Sequence, residues 1–412
     1  MRLLYSIGIY LAGFIVKLLS IFNTKLKQGV IGRKETFKKL ESVIKPEDKT
    51  FWFHCASLGE YEQGLPVFEA LKIKYPNYKI VLSFFSPSGY EIRKNSKIAD
   101  VVVYLPLDKK TNAKRFLDLV HPDYIVFVKY EIWPNFLHEI KRRHLNAILI
   151  SAVFRESQSF FKWYGGFMKK ALFAFNHIFT QNEVSKALLK SINYNNASVS
   201  GDTRFDRVSN QLKTDNTIDF INDFKGDKLC IVFGSTWPDD DKLYMDYINR
   251  LDYENLKIII APHNIKTGYI DSLKSQIKTK TVCFSELSNE KSLSEFNVFI
   301  LDTIGYLSRV YSYADIVYVG GAAGTTGLHN ILEPAVFGIP IIIGKNHHKF
   351  PEAKTLIELG GVTSVSSPAT FNSKLSSLII DSSLRKHQGS INKDYIEKNK
   401  GAVIQILDFI RI

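Results

Sequence analysis

The stretch GGAAGTTGLHNILEPAVFGIPIIIG, residues 320–344, is the part of this 412-residue chain that most clearly indicates its fold. A β-branched run at 316–319 precedes a glycine-rich loop, and the pattern then predicts a helix from about 329 to 337 and a strand at 339–343. Glycines let the backbone approach a ligand closely, and the free amides at a helix start attract anions. The segment therefore predicts a strand–loop–helix unit that binds phosphate, with a plain tight turn as the alternative.

Strand and helix patterns alternate along the rest of the chain from about residue 50. This alternation predicts an α/β fold with parallel sheets covered by helices on both faces. A polar stretch at 206–228 interrupts the rhythm, so we expect two Rossmann-like, doubly wound domains that face each other across a cleft. The predicted strands are 50–54, 79–84, 101–105, 124–128, 147–151, 177–180, 229–233, 256–261, 281–284, 298–301, 316–319, 339–343 and 362–365.

Five segments follow from this pattern. They are an N-terminal membrane-anchoring helix (1–22), a first domain (23–205), a linker (206–227), a second domain (228–390) and a C-terminal helix (391–412) that packs back on the first domain.

The charge distribution favours a lipid surface as a partner. The formal net charge is +13, which favours anionic partners, and residues 1–45 hold nine basic side chains against Glu35 and Glu41. These charges lie beside the most apolar stretch, 3–21, which contains Lys17. We therefore expect membrane anchoring and no nucleic-acid partner, while a buried first helix is the alternative. Three distant cysteines and scattered histidines indicate no disulfide, no metal and no cofactor.

Polar side chains follow several predicted strands, where ligands bind in such sheets. Glu60, in FHCASLGEYEQGLPV (53–67), places a carboxylate at the sheet rim, and a capping box with Ser57 explains it equally well. Glu131, in KYEIWPNF (129–136), is an acid/base or hydroxyl-binding candidate, whereas Trp133 fits the core. The acidic run 239–241 indicates a solvated helix start.

Taken together, FHCASLGE, YEIWPN, GDTRFD, the GST at 234–236, GLHNILEP and the F-x-E at 350–352 resemble, in this order, the 3-deoxy-D-manno-octulosonic acid (Kdo) transferases of lipopolysaccharide assembly. The resemblance implies the GT-B fold, CMP-Kdo as donor, a lipid A precursor as acceptor, and inversion at the anomeric carbon. It also implies that Glu60 is the catalytic base. Lys129 and Tyr130, and His263 with Asn264, depart from the family pattern and leave the contacts there open.

The resemblance assigns the first domain to the acceptor and the second to CMP-Kdo, at the cytoplasmic face of the inner membrane. Donor contacts are expected from Ser235, Thr236, His263, Gly324, Gly327, His329, Asn330 and Glu333, and acceptor or anion contacts from Ser57, Ser86, Glu131, Arg155 and Arg204. The alternatives are another GT-B enzyme that acts on a UDP-sugar, either a transferase or an epimerase, and a non-catalytic nucleotide- or lipid-binding relative.

Overall fold

The chain forms two compact units. A computed structural model describes residues 2–287 and 292–411. The first unit comprises Met1–Arg207 with Lys400–Ile412, and the second comprises Val208–Asn399. The boundary lies inside a helix, Thr203–Gln211, and within the stretch 206–227 predicted as the linker.

The first unit is built on one seven-stranded parallel sheet. Its strands are β1 (Thr50–Cys55), β2 (Lys79–Phe84), β3 (Val101–Tyr104), β4 (Tyr124–Val128), β5 (Asn146–Ala152), β6 (His177–Thr180) and β7 (Ala197–Val199). Its order is β3-β2-β1-β4-β5-β6-β7, with every pairing parallel. The helices are α1 (Arg2–Leu19), α2 (Thr24–Val43), α3 (Leu58–Lys74), α4 (Pro87–Arg93), α5 (Lys110–Val120), α6 (Pro134–Arg142), α7 (Gly166–Leu172), α8 (Glu183–Ser191) and α9 (Thr203–Gln211).

The second unit repeats this architecture. Its strands are β8 (Leu229–Thr236), β9 (Leu256–Pro262), β10 (Thr281–Cys283), β11 (Val298–Ile300), β12 (Ile316–Val319), β13 (Ile341–Gly344) and β14 (Val362–Val365). They form a parallel sheet in the order β10-β11-β9-β8-β12-β13-β14. The helices are α10 (Asp219–Lys225), α11 (Pro238–Ile248), α12 (Thr267–Gln276), α13 (Leu307–Val310), α14 (Leu332–Ala335), α15 (Pro351–Leu359), α16 (Pro368–Ile380) and α17 (Ser382–Asn399).

Alternate side chains of the first sheet enter two cores, because successive residues of a strand point to opposite faces. Trp52 packs against Phe116 and Phe127 on one face. Phe53 stacks on Phe68 of α3 on the other, with ring centroids 4.1 Å apart. The last helix, α18 (Ala402–Phe409), adds to this second core and thereby belongs to the first unit, whereas α17 belongs to the second.

The first helix has one packed face and one exposed face. Tyr5 donates a hydrogen bond to the buried carboxylate of Asp108 at 2.7 Å, and a Cβ on Gly13 would lie 2.8 Å from Leu107. The exposed apolar side chains are Leu4, Ile7, Tyr10, Leu11, Phe14, Ile15, Leu18 and Leu19. The helix is therefore neither wholly buried nor separate from the domain. In the described part of the chain, no helix has both the length and the apolarity needed to cross a bilayer.

The predicted strands are confirmed to within three residues at each end, and β7 is the one that the pattern missed. The prediction of a helix over 329–337 is wrong, because residues 320–331 form an irregular loop and only Leu332–Ala335 are helical. Pro334 lacks an amide proton and disfavours helical geometry in the residue before it, which limits a helix here.

Candidate functional site

Glu60 is the first carboxylate after β1, and its position follows from the start of α3. The Ser57 amide donates to Glu60 Oε2 at 2.9 Å, so the capping interaction foreseen as an alternative is present. This bond turns the carboxylate back to the carboxyl edge of the sheet, where only 6% of the residue is exposed. Burial, followed by the charge of Glu131, raises the pKa of Glu60 to about 7. A carboxyl group with that pKa exchanges protons readily near neutral pH.

A hydrogen-bonded cluster from β1, β2 and the loop after β4 surrounds Glu131. The Trp133 indole N–H lies 3.0 Å from both His54 Nε2 and Glu131 Oε2. His54 Nδ1 lies 2.9 Å from Ser83 Oγ, which also accepts from Trp52 Nε1 at 2.8 Å. Because Trp133 donates to Nε2, the His54 proton belongs on Nδ1. The cluster thus fixes Glu131 near Glu60 through groups that are nearly all buried.

Lys129, one of the departures from the family pattern, lies close to this carboxylate pair. Its positive charge lowers the pKa of Glu60, against the larger effects of burial and of Glu131. Lys129 has a φ of 72°, in the left-handed region that non-glycine residues rarely adopt. Such strained positions are concentrated at functional sites. Lys129 therefore places a cation beside the candidate base.

The other acceptor-side candidates lie around the same unit with different surroundings. The Ser86 amide donates to Ala56 O at 2.7 Å, which joins the loop after β2 to the loop that carries Ser57. Arg155 is exposed on a turn beyond β5. The Arg204 guanidinium pairs with Asp202 at 2.8 Å, and Asp202 also accepts from Gln63, one turn after Glu60 on α3. The structure thus places Ser57, Ser86 and Glu131 near Glu60, while Arg204 already pairs with a carboxylate.

In the second unit, Asp240 organises the glycine-rich loop. Its carboxylate accepts from the amides of Trp237 (2.9 Å), Gly321 (2.8 Å) and Ala323 (3.3 Å), and from the Tyr318 hydroxyl (2.6 Å). The expectation of a solvated acidic run at 239–241 is therefore wrong for Asp240, which is fully buried, and for Asp241, which is nearly so. A buried carboxylate needs such donors to offset its desolvation.

The loop itself folds back tightly on its own backbone. Gly327 has a φ of 98°, and its amide donates to Gly321 O at 3.2 Å. A Cβ on Gly321 would lie 2.1 Å from Gly327 O, so a larger residue does not fit there. At Gly324 a Cβ would lie 2.3 Å from Asp239 Oδ2. The backbone is therefore closely packed at Gly321 and Gly324, and this packing does not depend on a long helix behind the loop.

Three rings gather at the ends of β8 and β9 and at the end of this loop. His263 stacks on Trp237 with centroids 4.6 Å apart, and His329 lies 4.5 Å from His263. The Trp237 indole donates to His329 Nε2 at 2.9 Å. Burial, and then the neighbouring His263, lower the pKa of His329 to about 4, so the ring is neutral near pH 7. His329 then offers an Nδ1–H donor to a ligand.

The remaining donor-side candidates are placed unequally. Ser235 forms a bulge in β8 with a φ of 54° and is partly exposed, whereas Thr236 is fully buried beneath it. The amide of His263 donates to the Thr236 carbonyl at 3.0 Å. Asn330 donates to Glu333 Oε1 at 3.1 Å, so these two act as a pair. Among the predicted donor contacts, the Thr236 side chain is fully buried and does not face solvent.

Sequence reasoning missed His54, Ser83, Trp237 and Asp240 as parts of the two clusters. Trp237 and Asp240 stand inside the quoted segment FGSTWPDDD, but an acidic run before a helix is typical of a solvated N-terminus. His54 and Ser83 lie within strands, where a pattern gives no sign of a polar contact across the sheet.

Comparison with known proteins shows which families the chain resembles. Residues 32–207 match the protein family described as "3-Deoxy-D-manno-octulosonic-acid transferase (kdotransferase)". The chain is 26% identical to a 3-deoxy-D-manno-octulosonic acid transferase of Haemophilus influenzae, over 96% of this chain and 94% of that protein. It is 28% identical to the enzyme of that name from Aquifex aeolicus, over 80% of this chain and 83% of that protein.

Solved structures show the same fold at low sequence identity. The UDP-GlcNAc 2-epimerase from Neisseria meningitidis, bound to UDP-GlcNAc, has a TM-score of 0.60 at 15% identity, over 87% of this chain and 98% of that one. MurG of Acinetobacter baumannii has a TM-score of 0.54 at 11% identity, over 88% and 99%. These likenesses and the two parallel sheets confirm the α/β prediction of two Rossmann-like domains of the GT-B type. The matched domain and the named relatives show that residues 32–207 resemble the Kdo transferase domain and that the chain is similar over most of its length to glycosyltransferases of that name.

Proposed function

We propose that this protein transfers Kdo from CMP-Kdo to a lipid A precursor, with inversion at the anomeric carbon, in lipopolysaccharide biosynthesis. The observation that carries the proposal is Glu60, a buried carboxyl with a pKa of about 7 inside the matched Kdo transferase domain. A general base works best when its pKa lies near the working pH. The named relatives support the sugar, and the donor, the acceptor and the stereochemistry are part of the proposal.

Glu60 acts as the base in a single displacement. It takes the proton of the acceptor hydroxyl while the acceptor oxygen forms a bond to the anomeric carbon of Kdo. The bond from that carbon to the phosphate oxygen breaks, and CMP leaves with the electron pair. Positive charge develops on the sugar in the transition state, as in other glycosyl transfers.

The second unit supplies the nucleotide site in this proposal. The tight loop at Gly321–Gly327 lies against the phosphate, and the neutral His329 donates through Nδ1. The linked pair Asn330 and Glu333 contacts the ribose hydroxyls. The exposed His263 ring, stacked on Trp237, offers a flat surface to the donor.

We place the protein at the cytoplasmic face of the inner membrane, where α1 lies in the lipid interface. Its outer face exposes an apolar stripe, including Leu4, Leu11 and Phe14; Lys17 lies in its last turn, and Lys25 and Lys27 follow on α2. An apolar face flanked by lysines is the pattern of an interfacial helix that binds anionic lipid. This position would bring the enzyme to an acceptor that is itself a lipid.

The direct test mixes the purified full chain with CMP-Kdo and a lipid A precursor and measures the product mass. A mass increase of one or more Kdo residues supports the proposal, and the anomeric configuration of the product reports inversion. UDP-N-acetylglucosamine serves as a second donor. Turnover of the UDP-sugar without any Kdo product would contradict the assignment.

Glu60→Gln separates the catalytic role from the capping role. A glutamine oxygen still accepts from the Ser57 amide, so the variant folds normally, but it cannot take a proton. We expect transfer to fall by about 10²–10⁴-fold. Glu69→Gln, on an exposed position of the same helix, is the matched control. Near-normal transfer by Glu60→Gln would rule out Glu60 as the base.

A further inference from the structure

Trp163 is the most exposed large apolar side chain in the part of the chain that the structure describes. It is 95% exposed, and the next residue, Tyr164, is half exposed with its ring 5.6 Å away, edge to face. The two form the tip of a turn, Lys162–Gly165, between a short 3₁₀ helix (Ser159–Phe161) and α7. Exposed aromatic pairs mark interaction surfaces, because water solvates them poorly.

This aromatic tip is held in place by its own turn. The Gly165 amide donates to Lys162 O at 2.9 Å, and the Lys162 amide donates to Ser159 O at 3.1 Å. A Cβ on Gly165 would lie 1.5 Å from Ser159 O, so the turn requires glycine. Phe160 is buried below and packs edge-on against Phe154. Trp163 is therefore exposed to solvent on an ordered turn that packs against the core.

The tip lies beside the first turns of α1. Phe167, on the first turn of α7, contacts the Tyr5 ring at 5.3 Å, and Tyr5 is fixed by its hydrogen bond to Asp108. Leu4 and Ile7, on either side of Tyr5, are exposed. The aromatic tip is thus next to the apolar stripe of α1, although 150 or more residues of sequence separate them.

Basic side chains surround the tip. Lys162 precedes Trp163 and is exposed, and Lys169 and Lys170 follow on α7, partly and fully exposed. Glu156 is the acidic residue of the stretch 155–172. An aromatic pair flanked by lysines fits the headgroup region of an anionic bilayer, where ring and ammonium groups are both satisfied.

We propose that the Trp163–Tyr164 tip inserts into the headgroup region of an anionic phospholipid bilayer, as a second contact that acts with the exposed face of α1. This inference rests on the proposed membrane position of α1. Two separated contacts fix the orientation of the first unit on the membrane, which a single helix in the interface does not do. They also add their binding energies, because the second contact forms without a further loss of translational freedom.

The test is co-sedimentation of the full chain with vesicles of phosphatidylcholine alone or with phosphatidylglycerol. Wild type binds the anionic vesicles, and Trp163→Ala with Tyr164→Ala lowers the partition coefficient by roughly 10–100-fold. Trp163→Phe retains part of the binding. Ile380→Ala removes another exposed apolar side chain, 84% exposed at the end of α16, and leaves binding unchanged.

Quenching by brominated lipid gives an independent readout, because Trp52 is buried and Trp133 and Trp237 are partly buried. We expect quenching in wild type and its loss in Trp163→Phe. Unchanged sedimentation of the double variant would overturn the proposal, as would equal binding to neutral vesicles. Self-association that depends on the tip, without vesicle binding, would assign it to a protein partner instead. These assays contain neither donor nor acceptor, so a failure of Kdo transfer in the product-mass assay is judged separately.

Discussion

Glu60 caps a helix and still has a raised pKa, because burial and a neighbouring charge outweigh its hydrogen bonds. One oxygen receives the Ser57 amide, which alone would favour the charged form. Loss of water and the negative charge of Glu131 outweigh that bond and raise the pKa of Glu60 to about 7. Below that pH the carboxyl is protonated and cannot accept a proton from a substrate.

The rate of transfer should therefore rise about 10-fold per pH unit up to about pH 7 and then level off. Glu131→Gln removes one negative neighbour but keeps an oxygen that accepts from Trp133, so the pKa of Glu60 falls and the acid limb moves to lower pH. Burial still raises the pKa of Glu60 in this variant, so the acid limb stays at a higher pH than the usual pKa of a carboxyl group would give. Profiles of kcat/KM against pH for wild type, Glu131→Gln and the control Glu69→Gln measure this. If the acid limb of Glu131→Gln stays at the same pH as that of wild type, the charge of Glu131 does not raise the pKa of Glu60.

Sequence patterns located Glu60 but could not choose between capping and catalysis, because both need a carboxylate three residues after Ser57. The structure shows that the capping bond and the raised pKa coexist. His54 was out of reach of any local pattern, since its partners Ser83 and Trp133 lie on other segments, 29 and 79 residues away.

Among the elements, the glycine-rich loop depends most on a distant side chain. Asp240, on the first turn of α11, binds the amides of Gly321 and Ala323, about 80 residues further along the chain. Glycines allow the loop to adopt this backbone conformation, and the hydrogen bonds to the Asp240 carboxylate stabilise it. The loop is therefore ordered by α11 and not by the short helix α14 that follows it.

Asp240→Asn should loosen this loop. The amide NH₂ group would face backbone donors, leaving at least one of them unsatisfied at a cost of about 1–3 kcal/mol. We expect the second unit to unfold at a lower temperature and the KM for the nucleotide donor to rise more than kcat falls. Asp239→Asn, the half-exposed neighbour, is the control. Calorimetry and donor titration measure the two effects. A stability loss without any change in KM would leave Asp240 outside donor binding.

Across the chain as a whole, the C-terminal segment ties the last residues to the first unit. Ile406 and Ile410 of this segment are fully buried in the core that contains Phe53 and Phe68. Asp206 accepts from the amides of Gly401 and Ala402 at 2.9 and 3.1 Å, which fixes the start of α18. The first unit is thus completed by a segment that follows the whole second unit in the sequence.

Ile406→Ala should lower the free energy of unfolding of the first unit by about 2–5 kcal/mol, because it leaves a cavity in that core. Ile404→Ala, on the same helix but 65% exposed, should change it by less than about 0.5 kcal/mol. Denaturant titration followed by the fluorescence of Trp52, which is buried in the first unit, compares the two. Equal effects of both substitutions would contradict the packing of α18.

The strands, the α/β class and the position of Glu60 could be read from sequence, because each is set by residues within a few positions of one another. Hydrophobic periodicity and helix-start signals are local, and β12 was placed to the residue. The burial of Asp240 and the ring cluster of Trp237, His263 and His329 depend on contacts between distant segments. Those contacts form only when parallel strands bring their carboxyl ends to one edge of the sheet. They are therefore decided by the tertiary structure and cannot be predicted from a local sequence pattern.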